Sequence, residues 1–391
     1  MIGKIYPSEK HSYIDPVSGH QVTQLTSQGI NCHMYFTDNS FDLDGREIYF
    51  VSDRGSESGH FNLFRMDLSS SEMTQLTNEA EGIVFNAFTK TPDSELIAYK
   101  SGNSVHILNT RTMEKRIIYT DNDMIFAQMH ISPDKKTLGM TRNENVVIGT
   151  GDADANYDGF YEKFVWVKDG RVTLMDIDGG NFRDVFCDTH QLGHFQFAPD
   201  DNHICMFCHE GPWNYVNQRI WILNIETGKA IPCFRQGPDD CVGHEFWTMD
   251  GNIVFDNRRA GHDGTISSDK TQVVIKAEDH GEIPYFGFAD KTGKVFRKVD
   301  MPFYCNHYHA NNDTSVFVGD AVNDLLLIRP DMPLEKQLIT LARHNTTWKY
   351  HWAHCHPTFS WQGDQILYAA ATDDTHGNLF LIDDLTWALH S

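Results

Sequence analysis

The sequence lacks long hydrophobic runs. Across its 391 residues, no window approaches the roughly 18 consecutive apolar residues of a membrane span, and the first 19 residues contain no apolar signal-peptide core. Basic residues are also scarce, because 32 Lys and Arg stand against 54 Asp and Glu, which gives a net charge of −22. Such a charge repels nucleic acid and anionic membranes, so we expect neither as a partner. The missing signal segment favours a cytoplasmic protein.

Paired cysteine motifs are almost absent. The eight cysteines are spread singly along the chain, which excludes a small disulfide scaffold and favours reduced thiols in a cytoplasm. Cys205 and Cys208 form one CxxC within a predicted strand, but no second CxxC accompanies it. We therefore interpret both residues as core thiols rather than as a redox pair.

Two common catalytic motifs are also missing. The stretch GSESG at 55–59 has Glu57 at the position where a serine hydrolase requires its nucleophile. No glycine-rich loop opens a predicted helix, so the sequence gives no support for nucleotide binding. Neither hydrolysis through an activated serine nor nucleotide chemistry is therefore expected.

Amphipathic helical stretches are scarce, and a unit of strands and turns recurs in their place. The clearest copy spans 41–77, where apolar and polar residues alternate within REIYFVS and FNLFRMDL and turn residues separate these strands. Further copies begin at residues 88, 130, 195, 246, 309 and 357. The seven starts lie about 42 to 65 residues apart, which is near the spacing of four-stranded propeller blades.

These repeats predict an all-β fold, a seven-bladed β-propeller that residues 1–391 form as a single domain. The seventh copy ends after its third strand. Residues 20–27 (HQVTQLTS) match the blade-ending EMTQLT at 72–77, so we expect the N-terminal strand to complete blade 7 and close the ring. Propellers that serve only as scaffolds have the same repeats, so the repeats alone do not indicate a function.

Histidines are concentrated where the last two blades begin. The segment WKYHWAHCHPTFSW at 348–361 contains His351, His354 and His356. Side chains two apart on a strand share a face, so His354 and His356 are predicted to project together, with Cys355 on the opposite face. The entry to the previous blade carries His307 and His309 at the same spacing.

Blade entries of a propeller meet at one end of its channel. We therefore expect His307, His351, His354 and His356 to gather near one centre. Neutral imidazole is the commonest ligand of divalent transition metals, so the sequence predicts a metal site there. The alternative is chance clustering on a wet surface, because the chain contains 21 histidines.

Other blade entries carry histidine as well. His244 lies just before blade five, His190 and His194 precede blade four, and His33 precedes blade one. Arg219 follows a Gly-Pro turn and a group of aromatic residues. For any one of these residues, a structural histidine or a salt-bridged arginine is the simpler interpretation. Their recurrence at the same point of the repeat favours a shared site.

Several segments also carry a resemblance to a known family. They are HEGPWNYVNQRIWILN at 209–224, GHEFW at 243–247, the His307 segment that ends in VGD at 318–320, and ARH…HCHPTFS at 342–360. Together with NCHMYF at 31–36, they are similar, in the same order, to the oligogalacturonate lyase family of pectin catabolism. The HEGPW and GHEFW segments are the more specific ones.

The resemblance implies a fold, a reaction and a set of site residues. The fold is a seven-bladed propeller that holds one manganese ion. The implied reaction is the cleavage of short uronate oligomers, above all saturated or 4,5-unsaturated digalacturonate, by β-elimination. The implied metal ligands are His307, His354 and His356, the implied catalytic base is His244, and the implied substrate-contacting arginine is Arg219.

The sequence departs from the family pattern at three places. His351 occupies the position of a glutamine ligand, and an all-imidazole set binds zinc, nickel or copper more readily. Zn²⁺ and Ni²⁺ are therefore candidates for the bound ion besides Mn²⁺. The stretch 259–285 is longer than the resemblance predicts, and the part between VGD and ARH is shorter. Changes of loop length of this kind often alter substrate preference.

The implied chemistry suits these residue types. Elimination from a 4-linked uronate removes the weakly acidic C-5 proton, and a divalent cation on the neighbouring carboxylate stabilises the enolate-like transition state. An imidazole such as His244 can accept that proton, and Arg219 can hold a second carboxylate. Local capture of this kind would allow a strongly acidic protein to bind a short uronate.

Two alternative functions stay open from the sequence. One is a lyase or isomerase for a different uronate-containing oligosaccharide, which His351 keeps possible. The other is a TolB-like interaction propeller that has neither metal nor catalysis. The sequence does not indicate the oligomeric state, the preference for chain ends, or whether His33, His194 and His309 touch a substrate.

Overall fold

The computed structural model describes residues 2–148, 159–213, 215–258, 284–302 and 304–385. Within these ranges, thirty strands form seven antiparallel sheets of four or five strands each. The predicted all-β seven-bladed propeller is confirmed. Residues 259–283, which are most of the segment predicted to be long, lie outside the described residues. That residues 1–391 form a single domain stays a prediction.

Blades 2 to 6 each use four consecutive strands that run from the channel outward. Blade 2 contains β8 (Phe88–Lys90), β9 (Leu96–Ser101), β10 (Ser104–Asn109) and β11 (Lys115–Thr120). Blade 3 contains β12 (Met124–Ile131), β13 (Thr137–Glu144), β14 (Gly170–Asp176) and β15 (Arg183–Asp188). Blade 4 contains β16 (Leu192–Ala198), β17 (Asp201–His209), β18 (Ile220–Asn224) and β19 (Lys229–Pro232). Blade 5 contains β20 (Val242–Trp247), β21 (Ile253–Asn257), β22 (Tyr285–Ala289) and β23 (Val295–Asp300). Blade 6 contains β24 (Tyr308–Ala310), β25 (Phe317–Asp320), β26 (Asp324–Ile328) and β27 (Leu338–Arg343).

Blades 1 and 7 share the N-terminal segment and have five strands each. Blade 1 contains β4 (Asn31–His33), β5 (Glu47–Ser52), β6 (Asn62–Asp67), β7 (Met73–Gln75) and β1 (Ile5–Tyr6). Blade 7 contains β28 (Thr358–Phe359), β29 (Ile366–Ala370), β30 (Asn378–Ile382), β3 (Gln21–Gln24) and β2 (His11–Ile14).

The N-terminal strand closes the ring as predicted. β3 pairs with β30 through Thr23 opposite Leu381 and Gln24 opposite Phe380, so residues within 20–27 supply the fourth strand of blade 7. β2 extends this sheet outward, and β1 pairs with β7 at the outer edge of blade 1. The sequence did not indicate β1 or β2, because strands of two and four residues that are largely exposed carry no alternating pattern.

In five of the seven blades, the innermost strand begins earlier in the chain than the sequence copies predicted. In blade 1 the innermost strand is β4, which lies upstream of the predicted start at residue 41, and β12 begins at Met124 instead of residue 130. The turn signals that marked each copy lie between the first and second strands. The sequence copies therefore predicted the turns correctly, but in these blades they placed the first residue of the channel-lining strand too late in the chain.

A residue in the left-handed region recurs in the turn that leads into the second strand of most blades. Its position and φ are Gly45 (67°), Ser94 (57°), Lys135 (61°), Gly251 (77°), Thr314 (59°) and Gly363 (78°). Glycine adopts this conformation without steric cost, whereas the other side chains pay a small penalty. The recurring Asp-Gly and Pro-Asp signals of the repeat therefore have a common backbone cause.

Helices are few in the described part of the chain. α1 (Phe160–Trp166) lies in the connection between β13 and β14, and α2 (Leu334–Gln337) precedes β27. A single 3₁₀ turn, His351–Ala353, leads into blade 7. Among the residues that the structure describes, none of the helices has the length and apolar character needed to cross a bilayer.

The core consists of apolar clusters between neighbouring sheets. Val318 and Leu327 of blade 6 pack with Phe359 and Tyr368 of blade 7, and Val22 of β3 belongs to the same cluster. The closing strand is therefore held by side-chain burial as well as by its hydrogen bonds. This packing fixes the inner ends of the blades, which carry the candidate site.

We expect Val22→Ala to lower the free energy of unfolding by about 1–3 kcal/mol, because it removes buried methyl groups from this cluster. The measurement is chemical denaturation followed by circular dichroism. The matched control is Val17→Ala, which truncates a half-exposed valine of the same segment and should change stability by less than about 0.5 kcal/mol. Equal effects of the two substitutions would contradict a role of β3 in holding the ring closed.

Candidate metal centre and cavity

Irregularities in the innermost strands position the site. The pairing register shifts around Gln128 in β12, around His194 in β16 and around His244 in β20. Gln128 and His194 have φ of 44° and 48°, and His356, just before β28, has φ of 42°. Positive φ is uncommon for residues other than glycine and is concentrated at functional sites. These bulges turn the side chains toward the cavity at the channel mouth.

Three of the predicted histidines converge. The ring centroid of His307 lies 4.3 Å from that of His356 and 5.6 Å from that of His354, and the centroids of His354 and His356 are 5.5 Å apart. One ligand nitrogen from each residue lies within 4.8 Å of the others. Cys355 faces away and packs in a separate cluster with Tyr304. The structure thus brings together segments that are almost fifty residues apart.

A carboxylate orients one of these rings. The Oδ2 atom of Asp320 lies 2.7 Å from Nδ1 of His307, and the backbone N–H of His307 donates to Oδ1 of the same residue at 2.6 Å. When Nδ1 donates to the carboxylate, the lone pair of the ring is left on Nε2, the atom that can bind a cation. Such outer carboxylates are a regular part of histidine metal sites.

The three rings are in the form that binds cations. Burial lowers the pKa of His307, His354 and His356 well below the ordinary value, and neighbouring histidines, with Arg258 in the case of His307, lower it further. Neutral rings keep a lone pair for a metal. The buried Nε2 of His354 also has no hydrogen-bond partner among the described residues. A buried nitrogen of this kind is costly unless something binds it.

His351, the fourth predicted ligand, lies beside this group and is not part of it. It is exposed, and its ring stacks on that of His354 at a centroid distance of 5.4 Å. The cause is the 3₁₀ turn that begins at His351, because residues three apart in such a turn lie one above the other. Its role as a ligand stays a prediction.

His309 and His33 make structural contacts. Nδ1 of His309 accepts a hydrogen bond from the backbone N–H of Phe359 at 3.2 Å, and its ring stacks on Phe246. Nε2 of His33 donates to the carbonyl of Cys355 at 3.1 Å. Both rings hold neighbouring innermost strands in place. His307 and His309 therefore share the sequence spacing of His354 and His356, but His309 does not join His307 in the three-histidine group.

His244 lies against the three-histidine group and is itself held by an arginine. Its ring centroid is 4.4 Å from that of His307. Arg258 donates from Nη2 to Nδ1 of His244 at 3.2 Å, and a guanidinium has no lone pair, so neutral His244 carries its proton on Nε2 in this arrangement. Burial lowers the pKa of His244 well below its ordinary value, and His307 and Arg258 lower it further.

Arg219 is buried and already opposed by carboxylates. Only 1% of the residue is exposed, Nε lies 3.3 Å from Oε2 of Glu245, and Nη1 lies 3.5 Å from Oε2 of Glu210. His194 also bridges these two glutamates at 2.8 and 3.4 Å. Arg219 borders the cavity, yet much of its charge is balanced within the protein. Its contact with a substrate carboxylate stays a prediction.

The cavity in front of these groups has a volume of about 420 Å³, in the range of small-ligand sites. The three-histidine group, His244 and His351 form one wall. Phe160, Lys163 and Val167, from the connection that carries α1, also line the space. An inserted segment of blade 3 thus contributes to a site whose histidines come from blades 4 to 7.

Several site residues were missed by the sequence analysis. Asp320, Glu210 and Glu245 stood within the segments that carried the family resemblance, but nothing in the sequence assigned them partners. Arg258 follows β21 directly and gave no signal, because its contact with His244 depends on the pairing of β20 with β21. Lys163 lies on a helix that the repeat did not predict.

Comparison with known proteins assigns the family. A model of the family described as oligogalacturonate lyase matches residues 1–384. The chain belongs to the oligogalacturonate lyase family.

Relatives within the oligogalacturonate lyase family resemble this chain over nearly its whole length. The oligogalacturonate lyase of Dickeya dadantii (strain 3937) is 24% identical over 396 residues, and the oligogalacturonide lyase of Pectobacterium atrosepticum is 23% identical over 395 residues. Each comparison covers 95% of both chains.

Two solved structures share the fold. An oligogalacturonate lyase in complex with manganese aligns with a TM-score of 0.83 at 23% identity over 99% of both chains. The oligogalacturonate lyase of Vibrio parahaemolyticus aligns with a TM-score of 0.82 at 21% identity over 98% of both chains.

The three-histidine group fits a divalent transition metal. It offers neutral imidazole nitrogens, a carboxylate that orients one ring, and one buried nitrogen without a described partner. His307, His354 and His356 would hold such an ion. The cavity leaves space in front of these rings for water or a substrate to complete the coordination.

We expect His354→Ala to weaken Mn²⁺ binding at the central site at least about 10-fold while the fold is retained, because a large propeller core does not depend on one ion. Metal-free protein is titrated with Mn²⁺, and free Mn²⁺ is followed by electron paramagnetic resonance. The matched control is His203→Ala, which removes an exposed histidine paired with Glu226. Unchanged binding by the His354 variant would show that the group is not a metal site.

Proposed function

We propose that this protein cleaves short oligogalacturonides by β-elimination at a divalent metal site, with Mn²⁺ as the ion and saturated or 4,5-unsaturated digalacturonate as the substrate. The observation that carries the proposal is the convergence of His307, His354 and His356 beside His244 at the wall of one cavity. The family assignment supports a lyase that acts on oligogalacturonides. In the proposed reaction, it is a carbon–oxygen lyase.

The proposed reaction removes a proton and a leaving group from neighbouring carbons. The C-5–H bond of the uronate breaks, C-4 and C-5 form a double bond, and the C-4–O bond to the next sugar breaks. The leaving oxygen takes up a proton. When bound, the divalent ion supplies positive charge to the uronate carboxylate, which acidifies C-5. The chain must therefore hold the carboxylate at the three histidines and place a proton acceptor near C-5.

His244 is the proposed acceptor of the C-5 proton. Because Arg258 donates to Nδ1, the ring must lose this contact before it can take up a proton. A bound uronate carboxylate attracts a guanidinium more strongly than a neutral imidazole does, and its negative charge also raises the low pKa of His244. Substrate binding itself would thus convert His244 into a competent base.

A second carboxylate of the substrate needs a second cation at the cavity. Arg219 was the expected contact, but Glu210 and Glu245 already oppose its charge. Lys163 of α1 is exposed and lines the same cavity. We assign the outer uronate to the region between these two residues, with Lys163 as the more accessible cation. Capture at two local points would limit the substrate to short oligomers.

The other interpretations are less well supported. The family assignment does not favour a non-catalytic TolB-like propeller. A lyase for a different uronate oligosaccharide is tested by the turnover experiment with digalacturonate.

The eight free cysteines suit a reducing compartment, and a cytoplasmic location stays a prediction.

We expect His244→Ala to reduce turnover of digalacturonate at least about 100-fold, because general-base catalysis contributes that much or more. Mn²⁺ binding should stay within about 3-fold of the unmodified protein. Product is followed by the thiobarbituric assay for 2-keto-3-deoxy-type sugars, with His203→Ala as the matched control.

Two results would contradict parts of this proposal, the first for His244 and the second for the substrate. Loss of Mn²⁺ binding would place the residue among the metal ligands. Absence of turnover by the unmodified, Mn²⁺-loaded protein, with binding of a different uronate disaccharide, would redirect the proposal to another substrate.

We expect His351→Gln to retain Mn²⁺ binding and at least about a third of the activity, because residue 351 lies at the edge of the metal group and glutamine is the residue implied by the resemblance. The measurements are Mn²⁺ affinity and initial rates with digalacturonate. An inactive variant that still binds Mn²⁺ would show that His351 contacts the substrate.

A further inference from the structure

A second group of metal-ligand residues lies outside the cavity, between blades 3 and 4. Asp188 is the last residue of β15, His190 follows it in the connection, and His209 is the last residue of β17. One ligand atom from each of the three lies within 4.8 Å of the others. None of the three residues lines the main cavity, so this peripheral triad is separate from the proposed reaction site.

The two imidazoles of the peripheral triad point at the same carboxylate. Nδ1 of His190 lies 3.2 Å from Oδ1 of Asp188, and Nε2 of His209 lies 3.2 Å from Oδ2. The rings are parallel, with centroids 4.2 Å apart and an interplanar angle of 4°. Stacked rings that present their nitrogen edges to one side can both bind a single ion placed at that side.

The charges of the peripheral triad favour the binding of one cation over the protonation of both rings. Two imidazolium ions with ring centroids 4.2 Å apart would repel each other, so protonation of both rings is an unfavourable way to balance Asp188. An ion that replaced the two hydrogen bonds would bind the nitrogens that face Asp188, and each neutral ring would then carry its proton on its other nitrogen. Asp188 supplies the negative charge, and the net charge of −22 attracts cations to the protein as a whole.

The geometry needs only a small adjustment to close around an ion. Zn–N distances of about 2.0–2.1 Å place two ligand nitrogens roughly 3.4 Å apart in a tetrahedral site. The side-chain exposure of His190 is 43%, whereas His209 is almost completely buried. One ligand is therefore fixed by the fold and another can rotate, while the solvent side leaves a position for water.

A third group with similar residue types does not meet these requirements. His194, Cys208 and Glu210 also lie within ligand distance of one another. Arg219 already places its positive charge 3.5 Å from Glu210, and burial raises the pKa of the Cys208 thiol well above its ordinary value. That group functions as an ion-pair network around an arginine.

We propose that Asp188, His190 and His209 form a second divalent-cation site, of the borderline class typified by Zn²⁺, which joins blade 3 to blade 4. Two imidazoles and one carboxylate suit this class. The residues that directly follow two of the ligands, Gln191 and Glu210, line the cavity and are joined by a backbone hydrogen bond of 2.8 Å. An ion at the triad would fix this part of the cavity wall.

The test is a titration of metal-free, full-length protein with Zn²⁺ by isothermal titration calorimetry, with bound zinc counted by mass spectrometry after gel filtration. The unmodified protein should bind two Zn²⁺ per chain. His190→Ala and Asp188→Asn should each weaken one site at least about 100-fold, beyond the roughly 10- to 100-fold effect of outer partners. His354→Ala should remove the other site, and the double variant His190→Ala/His354→Ala should remove both.

The controls separate this proposal from the proposed function. His203→Ala, which removes an exposed histidine from the strand that carries His209, should leave both sites unchanged. Asp188→Asn keeps the size of the side chain, so a normal melting temperature with one lost site excludes misfolding. If His190→Ala and Asp188→Asn bind Zn²⁺ like the unmodified protein, the triad is only a hydrogen-bonded link. If His354→Ala still binds two Zn²⁺ while the triad variants bind one, the assignment of the three-histidine group is wrong and that of the peripheral triad is supported.

Discussion

Two residue pairs between β3 and β30, Thr23 with Leu381 and Gln24 with Phe380, join the two ends of the chain in one sheet. Their importance is geometric, because a propeller keeps its innermost strands at fixed distances only when the ring is closed. The burial of Val22 against blade 6 and blade 7 residues adds a hydrophobic contribution to this closure. Every distance at the channel mouth depends on it.

The site shows how a fold made of repeats can produce chemistry at one place. Bulges in the innermost strands place Gln128 and His194 at positive φ, and His356 has positive φ just before β28; all three side chains line the same cavity. The surrounding sheets hold these conformations, and burial lowers the pKa of His307, His354 and His356. An acidic protein thereby presents a small region of lone pairs and cations, in which a short uronate meets local attraction despite the overall negative charge.

Different parts of the site could be predicted from the sequence to different degrees. Turn residues such as Asp-Gly and Pro-Asp located the blades, and the resemblance located His244, His307, His354 and His356. The contact of Arg258 with His244 and that of Asp320 with His307 had no local signal, because each joins residues on paired strands whose register the sequence does not state. The stacking of His351 on His354 likewise follows from a 3₁₀ turn in place of a strand.

The sequence alone determined the number of blades, the strand that closes the ring and the family, because turn chemistry and alternating patterns are local properties of the chain. Tertiary structure decided which histidines meet and which hold the backbone. It separated His307 from His309, opposed Arg219 with two glutamates, and brought Asp188, His190 and His209 together between two blades. Such outcomes depend on bulges, register and the packing of sheets, which are set by contacts between residues far apart in the chain.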